Sequence, residues 1–155
     1  MDELRVATDA ELNTTQYIVI RIGEEQYGIN IAFVDNIVRM QNITRVPKVA
    51  PHLKGVINLR GIVVPVMSLR LKMGLETDEI TKATRIIILK LEQHGCIGII
   101  VDEVKEVITL DNSQVEKVSN TDTSPDHINF VSSVGKCGAE LVSILDLNAV
   151  ALEKE

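Results

Sequence analysis

Residues 17–38, YIVIRIGEEQYGINIAFVDNIV, return in altered form as residues 87–108, IILKLEQHGCIGIIVDEVKEVI. At an offset of 70, Gly28-Ile29 matches Gly98-Ile99, and Ile31, Val34, Ile37 and Val38 fall on Val101, Val104, Val107 and Ile108. The preceding runs correspond too: Ile18 and Val19 fall on Ile88 and Leu89, and the turn Glu92 to Gly95 takes the place of Gly23 to Gln26. Within the first copy Ile18, Ile20 and Ile22 alternate with Val19 and Arg21, and Tyr27, Ile29 and Ile31 resume the alternation after the turn. Period two on both sides of a polar turn is a β-hairpin. The spacing of Ile31, Val34, Ile37 and Val38 predicts a short turn of helix after it.

Outward from this segment, Gly55 to Leu59 and Ile62 to Met67 are two apolar runs joined by Arg60-Gly61, which predicts a second hairpin with glycine available for positive φ. Pro65 cannot donate to a ladder and is expected at an edge or bulge. Ser68 can cap a helix from Leu69 to Met73, with Gly74 at its left-handed end. This part also repeats, at an offset grown to 78: Val64, Val66, Ser68 and Leu69 fall on Val142, Ile144, Asp146 and Leu147. The polar stretch Ser119 to Asn129 accommodates the insertion as a surface loop.

The fold class that follows is mostly all-β: two β-barrels of about five strands each, packed as one unit, with short helical turns and a C-terminal helical segment. Residues 1–14 read as a flexible tail and 15–152 as the folded unit, divided at about 15–83 and 84–152. Halves of this size bury modest cores alone, so they are expected to share an apolar seam or exchange strands.

Composition narrows the function. The 155 residues carry 16 Lys and Arg against 22 Asp and Glu, a net charge of −6, with 45% hydrophobic residues and no Trp. An acidic chain poor in aromatics lacks both the basic stripe and the stacking platform of a nucleic-acid binder. No apolar run reaches the ~20 residues of a membrane helix, and the acidic start does not resemble a signal peptide. Cys96 and Cys137 form no CxxC, so a reduced cytoplasmic protein is expected.

Candidate chemistry is sparse. His52, His94 and His127 lack metal-ligand spacing, no GxSxG or phosphate loop occurs, and no cofactor is expected. Asp102, Glu103 and Glu106 are the one acidic cluster that could serve acid–base catalysis, as in a small ligand-binding or hydrolytic barrel enzyme. On a helical turn, Asp102 and Glu106 would instead form a solvated face opposite Val101, Val104 and Val107. Arg60, at the tip of an apolar hairpin, reads equally as a recognition element or a solubilising turn residue.

The run GVINLRGIVVPVMSLR (55–70), with VPKVAPHLK before it, YGINIAFVDNIVRM (27–40) and CIGIIVDEVKEVI (96–108), closely resembles the CheW chemotaxis coupling proteins. The resemblance implies two five-stranded SH3-like barrels and no catalysis. It implies a scaffold coupling transmembrane chemoreceptors to the regulatory domain of the histidine kinase CheA at the inner face of the membrane, with other coupling proteins as further partners in array rings. It places the receptor's cytoplasmic hairpin tip in a groove between the barrels, touched by Ile31, Val34, Ile37 and Val101, with Arg60 bearing on receptor coupling. The kinase contacts are left open. The seam residues Val34 and Val101 are expected to lie near each other across the two halves.

Overall fold

The computed structural model describes residues 13–47, 52–76, 79–92, 95–117 and 130–151. Its strands are β1 (Thr14–Ile22), β2 (Glu25–Asn30), β3 (Val34–Arg39), β4 (Leu53–Leu59), β5 (Ile62–Ser68), β6 (Arg85–Leu91), β7 (Gly95–Val101), β8 (Glu103–Asp111), β9 (Val115–Lys117), β10 (Val131–Cys137) and β11 (Glu140–Leu145). Two short helices, α1 (Leu69–Lys72) and α2 (Leu147–Ala151), follow β5 and β11. The polar stretch 119–129, most of the N-terminal tail, His94 and His127 lie outside the described residues.

The strands form two sheets, each coiled as an SH3-like barrel. One runs β3-β6-β7-β5-β4, the other β8-β1-β2-β11-β10-β9. The hairpin β6-β7 thus sits among first-half strands and β1-β2 among second-half strands, so a boundary at 83/84 divides the chain but not the barrels. The exchange is reciprocal. Val66 pairs in parallel with Gly98 in one sheet, and Ile144 with Gly28 in the other. At these junctions a side chain would collide: a Cβ on Gly98 would lie 2.9 Å from Ile86 Cγ2, and one on Gly28 3.2 Å from Val142 Cγ1.

The exchanged strands β1 and β6 are buried on both faces, which explains their near-continuous apolar runs. Ile18, Ile20 and Ile22 join Ile87, Leu89 and Leu91 in a shared core that also takes Leu69 and Met73 from one end and Leu147 and Val150 from the other. The opposite faces fill the barrels. Ile57, Val64, Val66, Ile86, Ile88 and Ile100 pack in the first, and Tyr17, Leu110 and Ile144 in the second.

Three details correct the sequence reading. Val19 pairs with Gly28 and Ile88 with Gly98, so β1 and β6 correspond at an offset of 69, not 70. Three residues separate the paired Leu91 and Gly95 of β6–β7 where two separate Ile22 and Glu25 of β1–β2, and a one-residue slip exchanges the faces of a strand. The predicted helical turn shrinks to a 3₁₀ turn over Ile31–Phe33, capped by Asn30 Oδ1 accepting from Ala32 N at 2.9 Å, and the rest is strand. Pro65 lies in an interior strand rather than at an edge. It is tolerated there because β7 pairs with β5 only over Val66–Ser68.

The caps and turns follow their residues. Ser68 Oγ accepts from Leu71 N at 3.1 Å, and Asp146 Oδ1 from Ala149 N at 3.2 Å. Arg60 and Gly61 both have positive φ, 54° and 84°, the mirror-image turn that matches strand twist. Asn58 Oδ1 holds it by accepting from Gly61 N at 2.8 Å.

Candidate functional site

A β-bulge builds the candidate groove. Val34 pairs with Leu89 and Ile37 with Ile87, the intervening Asp35 being the extra residue. Without the bulge, Val34 and Ile37 would point to opposite faces; with it, both face the seam side of β6, where Leu89 and Ile87 are buried. Val34 is half-buried against the shared core, while Ile37 and Ile31 are each 36% exposed. Phe33, on the same 3₁₀ turn as Ile31, is also exposed. The result is an apolar flank in which Val34 is packed against the seam and Ile31, Phe33 and Ile37 are exposed.

The repeat builds a second flank. Val104 pairs with Ile20 and Val107 with Ile18 across an equivalent bulge at Lys105, and Val107 is exposed. Phe33 and Val107 escaped the sequence reading as site residues. The signal for Val107 was present, since it stands 70 positions after Ile37.

Val101 differs from the others. It is fully buried at the end of β7, within the shared core, so it supports the flank from beneath and cannot touch a partner on this surface. Arg60 is exposed at the tip of the β4–β5 hairpin, followed by Ile62 and Val63, which are 59% and 64% exposed.

The acidic cluster does not converge. Instead of lying on a solvated helical face, Asp102 occupies the bend between β7 and β8 and is buried. Arg70 Nε donates to Oδ1 at 2.9 Å and Arg70 Nη2 to Oδ2 at 2.7 Å, a two-pronged pairing. Gly23 N donates to Oδ2 at 2.8 Å, and Arg21 Nη1 stands 3.7 Å from the same oxygen. Burial alone would raise the Asp102 pKa. The hydrogen bonds from Arg70 and Gly23 and the two guanidinium charges outweigh it and hold the carboxyl below its ordinary value. Glu103 accepts from Arg21 Nε at 3.0 Å, and Glu106 is exposed on β8. With both Asp102 oxygens engaged, Glu103 paired to Arg21 and Glu106 exposed, Asp102 and Glu103 make a clamp across the exchanged halves rather than an acid–base pair. Among the described residues no group of three His, Cys, Asp or Glu side chains could hold a metal ion.

Paired SH3-like barrels that trade hairpins and expose apolar flanks define the structural class. The comparisons narrow the class. The family described as the CheW-like domain matches residues 16–155. The chemotaxis protein CheW of Bacillus subtilis (strain 168) is 40% identical over 152 residues, spanning 94% of this chain and 92% of that protein. CheW of Helicobacter pylori is 34% identical over 135 residues, covering 87% and 80% of the two chains. The crystal structure of the scaffolding protein TtCheW from Thermoanaerobacter tengcongensis superposes with a TM-score of 0.78 at 30% identity, covering 85% of this chain and 88% of that one. The chain belongs to the CheW family.

Proposed function

We propose that the protein is a non-catalytic chemotaxis adaptor that couples transmembrane chemoreceptors to the histidine kinase CheA. The relatives are chemotaxis proteins and one solved relative is described as a scaffold, which supports the general role. The single observation that carries the receptor assignment is the partly open apolar flank of Ile31, Val34 and Ile37, rooted in a rigid seam. An apolar patch held by a buried core can dock a helical hairpin without the cost of ordering itself. Arg60 acts from the hairpin tip, and Val101 fixes the floor. The regulatory domain of CheA and, in array rings, other coupling proteins take the remaining surfaces. Among the described residues no helix is long and apolar enough to cross a membrane. This accords with attachment to the inner face of the membrane through receptors, from the cytoplasm.

The test is reconstitution. Full-length protein should retain a receptor cytoplasmic fragment and the CheA regulatory domain separately, and should bridge the two when all three are mixed. Failure to bind either at tens of micromolar would sink the adaptor reading.

A further inference from the structure

The repeat makes one site the template for another. Arg70, the second residue of α1, crosses to Asp102 at the end of β7. The equivalent positions in the other half of the seam are Asn148, the second residue of α2, and Ala32, in the 3₁₀ turn that follows β2. Neither can form an ion pair. Beside Asn148 the structure has a cavity of about 320 Å³. Its lining includes Asn30, Ser132, Ser133, Asp146 and Asn148, which lie outside the groove assigned above, and Phe33, which it shares with the apolar flank.

We propose that this cavity receives the guanidinium of an arginine side chain from a protein partner, with Asp146, the counterpart of Ser68, as its carboxylate. Asp146 is the charged side chain in the lining; its Oδ1 caps α2 through Ala149 N, leaving Oδ2 available to the guanidinium. Ser132 and Ser133 add hydroxyl acceptors, and the exposed ring of Phe33 offers a stacking face at the mouth. The net charge of −6 favours a cationic visitor over an anionic one. This site stands whether or not the apolar flank binds a receptor.

The experiment follows the amide resonances of the ¹⁵N-labelled full chain during titration with Nα-acetyl-L-arginine methylamide. Saturable shifts should centre on Asn30, Ser132, Ser133, Asp146 and Asn148. The citrulline counterpart, equal in shape but uncharged, should leave them in place. Asp146→Asn, which keeps a capping side chain, should weaken the arginine probe about tenfold. A second variant, Ala32→Asp with Asn148→Arg, rebuilds the clamp and should abolish binding while raising the melting temperature. Equal shifts by citrulline, diffuse shifts over the acidic surface, absence of saturation, or unchanged binding in the rebuilt-clamp variant would each overturn the proposal. Tighter binding of free L-arginine than of the blocked probe would assign the cavity to a metabolite and overturn the protein partner.

Discussion

At one end of the seam Arg70 and Asp102 tie the exchanged halves together through a largely buried pair; at the other, Asn148 and Ala32 stand in the same places, no such pair forms, and a cavity lies beside Asn148. The backbone around the two is alike down to the capped helices, with Ser68 and Asp146 in the same role. Duplication therefore supplied a frame, and divergence of side chains decided which end is closed. The apolar core between them is common to both.

The largest effect is expected where the clamp is broken. Asp102→Asn leaves Arg70 short of its carboxylate in a mostly buried setting and should cost about 3 kcal/mol in urea denaturation. Asn148→Ala at the other end should cost under about 0.5 kcal/mol. The clamp also gives the wild type an acid signature. Because the folded Asp102 pKa lies below the ordinary 3.8, its contribution is present above that value and lost as the pH falls through the lower folded value. Stability measured between neutral pH and pH 2 should fall more steeply in the wild type than in Asp102→Asn.

A smaller effect separates the two junction glycines. Gly98→Ala brings a methyl to 2.9 Å from Ile86 Cγ2 and should cost about 2 kcal/mol; Gly28→Ala, at 3.2 Å from Val142 Cγ1, should cost about 1. Equal melting points for the two would mean that the barrels yield alike despite their different fillings. The smallest effects belong to the surface. Glu106→Gln and Arg60→Glu should each stay within about 0.5 kcal/mol of wild type. Arg60→Glu should nevertheless lower receptor-coupled kinase activation, and a loss above about 2 kcal/mol would make Arg60 a structural residue instead.

Hairpins, caps and the repeat were legible because they are local: alternation, a turn glycine or a Ser before a helix is written within a few residues. The bulges were not. An extra residue at Asp35 or Lys105 turns the period-two spacing of a strand into the three-residue step of Val34 to Ile37, which mimics a helix. Asp102 was misread for a different reason. Its partner Arg70 lies 32 positions away, and no local pattern reports a pairing made by strand exchange. The same exchange buried Val101, which the resemblance had placed on the groove surface.

The measurement closest to the central claim is a titration of Ile37→Asp against the receptor fragment and the CheA regulatory domain separately. Ile37 is open enough for the variant to fold, yet a carboxylate there must be desolvated when an apolar partner docks. Receptor affinity should fall at least about tenfold while kinase affinity stays within about twofold. A loss confined to the kinase, or none at either partner with the fold intact, would contradict the assignment of this flank to the receptor.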